Sequence, residues 1–194
     1  MEETADTDSS TVRDYASRIG TAARTMTELL ENALTATTID AGRATAKPER
    51  VSLRALVTQV VNQMELSGLH IDLTGVSDVD VWVDRLQMTQ VIMNLLTNAG
   101  KYGGDEVAVK AAEIGAELRV CVSDNGGGVE PEFIPHLFDR SSRSPSARYG
   151  QQRGSGLGLF IVRDLVEANG GSIDYEPGPC GGASFVVTLQ TPPP

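Results

Sequence analysis

The stretch from Asp84 to Tyr102, D-R-L-Q-M-T-Q-V-I-M-N-L-L-T-N-A-G-K-Y, decides the fold. At about 3.6 residues per turn its apolar residues cover most of a helix, so the sequence predicts a helix packed in a core. The polar side chains fall on one stripe of that helix, which contains Asn94, Asn98, Lys101 and Tyr102. Buried polar groups are costly without a partner. The stripe therefore indicates either a ligand site or asparagines that cap neighbouring loops.

The composition limits the classes of function. Of the 194 residues, 40% are apolar, which is typical of a globular domain. The net charge of -10 argues against nucleic-acid and anionic-membrane partners, because both require a basic surface. No apolar run approaches the roughly 20 residues of a membrane span. The cysteines, Cys121 and Cys180, have no metal-binding spacing. We therefore expect a cytoplasmic chain that contacts neither nucleic acid nor a membrane.

The N-terminal part predicts a long helix. Residues 1–10 are acidic and polar, and we expect them to be disordered. Over residues 11–41 apolar positions then recur at alternating spacings of three and four. These positions are Val12, Tyr15, Ile19, Ala22, Met26, Leu29, Ala33 and Ala36. Such a seam favours a coiled coil or a helical bundle, and the alternative is an amphipathic helix lying on the domain's own core.

The remaining sequence predicts one domain. Residues 42–50 contain glycine, proline and charged residues and are interpreted as a linker, and residues 192–194 as a tail. Between them, residues 51–191 contain helices and strands in segregated runs, including a hairpin that turns near Gly115. The predicted fold class is α+β, a two-layer sandwich with a mostly antiparallel mixed sheet, helices on one face and the long N-terminal helix attached.

Two glycine-rich segments and a cationic loop contain candidate ligand groups. G-S-G-L-G-L at residues 154–159 opens a helix, whose N-terminus can bind an anion. The loop before it carries arginines in an otherwise acidic chain: Arg140, Arg143, Arg148 and Arg153. This pattern indicates a polyphosphate site under a lid, or else a solvated basic loop. Asp124, followed by N-G-G-G, ends a strand and can accept a hydrogen bond from an exocyclic amine, although such a sequence is also typical of a simple turn.

Together these segments resemble the ATP-binding domain of sensor histidine kinases, in the superfamily that includes Hsp90, gyrase B and MutL. The segment N-L-L-T-N-A-G-K-Y is similar to the family's N box and D-N-G-G-G-V to its first glycine box. L-F-D-R-S-S-R is similar to the F box, G-S-G-L-G-L to the second glycine box, and G-G-A-S-F-V-V to the terminal strand. The resemblance covers about residues 51–189. It implies ATP and Mg²⁺ as cofactors, and it makes helix 11–41 similar to the second helix of a dimerisation hairpin.

The resemblance also implies a role for each matching residue. Asn94 and Asn98 would bind Mg²⁺ and the phosphates that it bridges. Lys101 would contact phosphate, Tyr102 would border the ribose or base, and Asp124 would bind the adenine amine. The other implied positions are Gly126 and Gly128 for the adenine pocket, Gly154, Gly156, Leu157 and Gly158 for the phosphates, and Arg143 and Arg140 for the γ-phosphate.

The sequence departs from the family pattern in two places. Ser141 stands where the F box usually has a second aromatic residue, which predicts looser docking of the lid. Neither His70 nor His136 is followed by the acidic-Arg-Thr-Pro pattern of a phosphoacceptor. We therefore expect the acceptor histidine on a helical hairpin outside this chain, either in the missing part of a larger kinase, which we favour, or in a separate chain.

The predicted function is the ATP-binding catalytic portion of a two-component sensor histidine kinase. It would transfer the γ-phosphoryl group to that histidine for relay to a response regulator, and would homodimerise through helix 11–41. One alternative is an ATPase or serine kinase of the same superfamily, which is disfavoured because Asn94 occupies the position of those enzymes' glutamate. The other alternative is a non-catalytic module for nucleotide sensing or dimerisation.

Overall fold

The computed structural model describes residues 4–42, 44–64, 68–142, 155–179 and 181–191. The helices are α1 (Thr4–Asp40), α2 (Leu53–Gln63), α3 (Arg85–Tyr102) and α4 (Gly158–Ala168), with a 3-10 turn at Ile134–His136. The strands are β1 (Glu49–Ser52), β2 (His70–Gly75), β3 (Asp80–Val83), β4 (Glu106–Ile114), β5 (Glu117–Asp124), β6 (Ser172–Pro177) and β7 (Ala183–Gln190). Within these ranges, no helix is long and apolar enough to cross a membrane.

A five-stranded mixed sheet forms one layer of the domain. Its strand order is β2-β4-β5-β7-β6, with β2 parallel to β4 and the other neighbours antiparallel. Strands β1 and β3 pair separately as an antiparallel ribbon. Side chains in β5 alternate, so Leu118, Val120 and Val122 are buried on one face while Arg119 and Cys121 lie on the other. The predicted α+β class with a mostly antiparallel sheet is confirmed.

Helices α2, α3 and α4 form the second layer over the buried face of the sheet. Each contributes side chains to one continuous core with the strands, among them Leu56 of α2, Leu95 of α3 and Ile161 of α4, which are at most 2% exposed. Leu95 lies in the predicted organising helix, and the burial of its apolar residues places α3 inside the domain.

Both ends of α3 are fixed by specific hydrogen bonds. At its start, the Asp84 carboxylate accepts bonds from the backbone N–H groups of Leu86 and Gln87, both at 3.0 Å. A cap of this kind stabilises a helix by about 1 kcal/mol. The Asp84 backbone also donates to the side chain of Asn169, just beyond α4. At its end, the Gly103 N–H donates to the Ala99 carbonyl at 2.8 Å.

The N-terminal helix is longer than predicted. It begins at Thr4, so residues 4–10 are helical where we expected a disordered lead. The reason is that extending an existing helix costs little once its first turn has formed. The predicted linker 42–50 is also too long, because Glu49 and Arg50 already pair with β3. Strand β1 contains one buried apolar residue, which gives too weak a pattern for detection.

The last turns of α1 lie on the domain, whereas its earlier turns do not. Ala36 is 1% exposed, and the Thr35 hydroxyl accepts a hydrogen bond from the Gln90 amide of α3 at 3.0 Å. In the earlier turns Ile19 is 69% exposed and Met26 is 65% exposed. The amphipathic-helix interpretation therefore applies to the last turns, and the coiled-coil interpretation of the earlier turns stays a prediction.

Candidate functional site

The polar stripe of α3 faces the start of α4. A Cβ atom built on Gly158 would lie 3.7 Å from Oδ1 of Asn94 and 3.9 Å from Oδ1 of Asn98. Gly158 is the first residue of α4 and belongs to the second glycine segment. The fold therefore brings the stripe and this segment together, although they are far apart in the sequence.

Asn94 has an unusual environment for an amide. It is only 7% exposed, and its Nδ2 atom has no hydrogen-bond partner among the described residues. An unsatisfied buried amide costs about 1–3 kcal/mol. One turn earlier on the same helix, Gln90 is satisfied by Thr35. Within the described residues, the fold therefore supplies a partner to the Gln90 amide but none to Nδ2 of Asn94.

The N-terminus of α4 presents backbone donors. The first N–H groups of a helix have no partner within it and carry the positive end of the dipole, which favours an anion. The side chain of the N-cap residue, Leu157, makes no capping bond, and its own N–H has a 3.3 Å contact with the Ser155 hydroxyl. Before the cap, Gly156 has a φ of +69°, and a Cβ there would lie 2.6 Å from the backbone oxygen of Ser142. Only glycine fits this position without strain.

Asp124 forms the other end of the candidate site. It is 9% exposed, and its Oδ1 accepts hydrogen bonds from the backbone N–H groups of Gly126 at 3.0 Å and Ala183 at 3.1 Å. A Cβ on Gly103 would lie 2.7 Å from the Cβ of Asp124. Glycine backbone thus surrounds a carboxylate whose orientation is fixed through one oxygen.

The first glycine segment is shaped by close approach of backbones. A Cβ on Gly126 would lie 2.7 Å from the Cα of Gly103. Gly128 has a φ of +69°, and a Cβ on it would lie 3.0 Å from the carbonyl oxygen of Gly181. Side chains at Gly126 and Gly128 would therefore displace the turn that follows Asp124.

The last turn of α3 connects the two ends of the site. Lys101 is half-buried and Tyr102 is 43% exposed. From Asn94 to Gly103 the helix advances about 14 Å at its usual rise per residue. The second half of α3 therefore runs from the start of α4 to the surroundings of Asp124.

Arg140 contacts α1 in this structure. Its Nη1 donates to Oδ2 of Asp40 at 2.6 Å, and its guanidinium carbon lies 5.9 Å from the centre of the Phe160 ring. Ser141, at the departure from the F box, has a φ of +57°. Several predicted residues lie outside the described ones, namely Arg143, Arg148, Arg153 and Gly154.

Gly103, Asn125 and Asp105 lie near Asp124 and were not predicted as site residues. Gly103 packs on Asp124, and Asn125 donates a hydrogen bond to Asp105. The sequence signal that could have pointed to Gly103 is the Gly103-Gly104 pair at the end of α3. Two adjacent glycines after a helix are typical of a place where another backbone approaches closely.

The fold and the site define a class of protein. An α+β sandwich carries the buried Asn94 amide and the half-buried Asn98 amide beside a helix N-terminus, near the middle of α3, and a glycine-lined carboxylate near the end of α3. This is an arrangement for an elongated ligand with an anionic part and a hydrogen-bonding part. The family model described as "Histidine kinase-, DNA gyrase B-, and HSP90-like ATPase" matches residues 83–193. The chain belongs to this family, and the predicted resemblance is confirmed.

Individual relatives agree with the family match. The chain is 33% identical over 170 residues to the signal transduction histidine-protein kinase AfsQ2 of Streptomyces coelicolor, covering 88% of this chain and 31% of AfsQ2. It is 38% identical over 115 residues to the sensor protein SrrB of Staphylococcus aureus, covering 58% of this chain and 20% of SrrB. The chain thus spans a third or less of the length of these relatives.

Solved structures share the fold. The mycobacterial sensor histidine kinase MprB superposes with a TM-score of 0.66 at 23% identity, covering 76% of this chain and 100% of that one. The histidine kinase AdeS of Acinetobacter baumannii gives a TM-score of 0.70 at 19% identity, covering 88% of this chain and 81% of that one. At these identities the structures support the architecture alone.

Proposed function

We propose that this chain is the ATP-binding catalytic portion of a two-component sensor histidine kinase. It transfers the γ-phosphoryl group of ATP to a histidine outside this chain. The observation that carries the proposal is the buried Asn94 amide, whose Nδ2 has no partner within the described residues and whose Oδ1 faces the start of α4. Because an unsatisfied buried amide is costly, its position beside the donors of a helix N-terminus supports a phosphate-bearing ligand.

Asn94 and Asn98 are the residues that would hold Mg²⁺. Mg²⁺ prefers oxygen ligands and commonly binds through the phosphates of its substrate. Among the residues that the structure describes, no three His, Cys, Asp or Glu side chains group as a metal site. Amide oxygens are neutral, so we infer that the metal enters with the nucleotide, whose phosphates supply the negative charge. When bound, Mg²⁺ neutralises charge on the β- and γ-phosphates.

Asp124 would recognise adenine. Its Oδ1 is occupied by two backbone donors, which hold the carboxylate in one orientation. A carboxylate only accepts hydrogen bonds, so it pairs with the exocyclic amine of adenine and not with the carbonyl oxygen of guanine. Gly126 and Gly128 would leave room for the base, and Tyr102 would border the base or ribose.

The phosphates would be bound between the two helices. The backbone N–H groups of Gly156, Leu157 and Gly158 lie at the positive end of the α4 dipole, and that of Leu157 would exchange its long bond with Ser155 for a phosphate oxygen. Lys101 would add a cation from α3, and Gly154 would extend the backbone cradle. Phosphoryl transfer depends mainly on such positioning and charge neutralisation, so little covalent chemistry is required of the protein.

The γ-phosphate would be reached by arginines of the F box. Arg143 is the first candidate. Arg140 would join it by exchanging its ion pair with Asp40 for the phosphate, which is feasible because both partners are half-exposed. Exposed ion pairs contribute little stability, so the exchange is not costly.

Transfer to a histidine is favoured over hydrolysis by the composition of α3. There is no Asp or Glu between Arg85 and Lys101, so this helix offers no carboxylate to activate water. Asn94 can orient a ligand but cannot accept a proton at neutral pH. This feature distinguishes the proposed kinase from an ATPase or serine kinase of the same superfamily.

The acceptor would lie on a helical hairpin whose second helix is α1. His70 begins β2, and His136 makes a 2.9 Å contact with Asp139 through Nδ1, so both belong to the catalytic domain itself. The phosphorylated hairpin would pass the phosphoryl group to a response regulator. Two copies of the chain would associate through α1.

The proposal is tested by mixing this chain with γ-labelled ATP, Mg²⁺ and the acceptor hairpin of its own kinase. We expect label on the hairpin histidine, and loss of that label with Asn94→Ala. His136→Ala serves as the control and should transfer label normally. If the chain binds ATP but no label reaches a histidine of the hairpin, the kinase assignment is wrong and a nucleotide-sensing module remains.

A further inference from the structure

The connection between α3 and β4 packs against the turn that follows Asp124. A Cβ on Gly103 would lie 2.7 Å from the Cβ of Asp124, and one on Gly104 would collide with the side-chain oxygen of Asn125. A Cβ on Gly126 would in turn lie 2.7 Å from the Cα of Gly103. The two backbone segments therefore approach more closely than any residue with a side chain allows.

The side chain of Asn125 bonds to this connection twice. Its Oδ1 accepts from the backbone N–H of Glu106 at 3.0 Å, and its Nδ2 donates to Oδ1 of Asp105 at 3.0 Å. Its own backbone N–H donates to the Glu106 carbonyl at 3.2 Å. One backbone donor and one carboxylate acceptor are compatible with only one orientation of an amide, so the side chain is fixed.

Asn125 extends the contact between two strands. The last residue pair of the β4–β5 ladder at this end is Val107 with Asp124. The bonds of Asn125 add Glu106 and Asp105 to this ladder, at the place where α3 has just ended. The hydrogen bond from Asn125 also lowers the pKa of the Asp105 carboxyl below its usual range, as expected for an ionised acceptor.

The location of these bonds matters because the connection lies between α3, which carries the proposed phosphate-binding residues, and Asp124, the proposed base-binding residue. On one side of it is the last turn of α3, with Asn98 and Lys101. On the other side is Asp124, held by the sheet. The affinity for a nucleotide that contacts both groups of residues at once depends on the distance between them.

We propose that Asn125 is a positioning residue that fixes the distance between the phosphate-binding residues of α3 and the base-binding carboxylate of Asp124. The inference rests on the proposed function, because it concerns the same nucleotide. Asn125 acts through Asp105 and Glu106 and not through the ligand. Loss of its bonds leaves each end of the site intact but lets the distance between them vary.

This role predicts different effects on two ligands. ADP engages both ends of the site, whereas adenosine engages the base end alone. Asn125→Ala should therefore raise the Kd for ADP with Mg²⁺ about tenfold, as expected for the loss of two hydrogen bonds. The Kd for adenosine should change by less than about threefold. A variant that was simply less well folded would bind both ADP and adenosine more weakly, by the same factor.

A swap of the hydrogen-bonded pair provides the conservative rescue. Asn125→Asp places two carboxylates against each other and should weaken ADP binding at least as much as Asn125→Ala. Adding Asp105→Asn to that variant restores the pair of one amide and one carboxylate, with the carboxylate now at position 125 and the amide at position 105. The carboxylate at position 125 can still accept a hydrogen bond from the backbone N–H of Glu106. The double variant should bind ADP within about threefold of the original chain. Asn62→Ala, an exposed asparagine on α2, is the matched control.

The measurements are calorimetric titration with ADP and Mg²⁺ and chemical-shift titration with adenosine, both on the full chain. Any of three results would overturn the inference while the unaltered chain binds ADP. One is equal loss of ADP and adenosine affinity in Asn125→Ala, and another is a swapped pair that binds as weakly as Asn125→Asp. The third is unchanged ADP binding in both single variants. An unaltered chain that binds no adenine nucleotide would instead refute the proposed function, and this inference with it.

Discussion

Asn94 and Gln90 show how two similar residues on one helix face acquire different environments. They are one turn apart on α3, but Gln90 is paired with Thr35 of α1, and Nδ2 of Asn94 has no partner within the described residues. The difference depends on which element lies opposite each residue. Gln90 faces the docked end of α1, whereas Asn94 faces the glycine-rich start of α4.

The carboxylate of Asp124 gives a prediction at the residue scale. Asp124→Asn replaces an ionised acceptor with an amide that presents a donor to the adenine amine or to the backbone N–H groups of Gly126 and Ala183. We expect the Kd for ATP to rise by about tenfold to a hundredfold, as for loss of a hydrogen bond to a charged group. Calorimetric titration measures the change. Asp174→Asn, on an exposed strand position, is the control, and unchanged ATP affinity in Asp124→Asn would remove this residue from the site.

At the scale of the element, α4 has different surroundings along its length. Its first residue faces the asparagines of α3, and its side carries Asp164, whose Oδ2 is buried without a hydrogen-bond partner in the described part of the chain. Burial raises the pKa of the Asp164 carboxyl above its ordinary value of 3.8. Arg163 opposes this shift, while Glu167 and Asp40 of α1 add to it.

The raised pKa of Asp164 predicts a pH-dependent stability. In the unfolded chain the carboxyl loses its proton near pH 3.8, whereas the folded protein retains it to a higher pH. The free energy of unfolding therefore falls as the pH rises through this window, and at neutral pH the destabilising effect of the ionised, partly buried carboxylate is fully present. Asp164→Asn removes this effect.

We therefore expect Asp164→Asn to have a higher free energy of unfolding than the original chain at neutral pH. The difference should shrink as the pH falls toward 3.8, the ordinary value for the carboxyl. Urea denaturation at several pH values measures both. Glu113→Gln, at an exposed position of β4, is the control, because Glu113 is not among the groups that shift the pKa of Asp164. A difference that stays constant with pH would show that Asp164 does not titrate as inferred.

At the scale of the whole molecule, α1 leaves apolar side chains in water. Val12, Tyr15, Ile19 and Met26 are 57–69% exposed and follow the alternating spacing of a coiled-coil seam. The net charge of -10 opposes non-specific association, so we expect these apolar side chains to be covered by a specific helix contact along the seam. Its C-terminal turns are already docked on the domain through Ala36.

The exposed seam predicts self-association of the chain. In sedimentation equilibrium we expect a dimer at high concentration, and Ile19→Glu should weaken that association at least tenfold because it places a charge in an apolar contact. Thr27→Glu adds the same charge outside the seam and should have little effect. A chain that stays monomeric at high concentration would contradict the prediction.

Much of the fold is predictable because its signals are local. The apolar positions and the Asp84 cap define α3 nearly to the residue, and the turn at Gly115 separates two alternating strands as expected. The end of α4 is equally clear, since Gly170 adopts a φ of +75° and Gly171 donates to the carbonyl of Val166. Each of these features depends on residues a few positions apart.

The sequence by itself determined most of the elements, the stripe of asparagines and the family motifs, although it missed β1 and the start of α1. Only the tertiary structure decided which distant residues meet: Gly158 with Asn94, Gly103 with Asp124, and Arg140 with Asp40. The last pair is separated by 100 positions in the sequence. The reason is physical. Helix caps, turns and periodic burial follow from neighbouring residues, whereas long-range contacts depend on how packed layers bring distant segments together, and no local pattern encodes that distance.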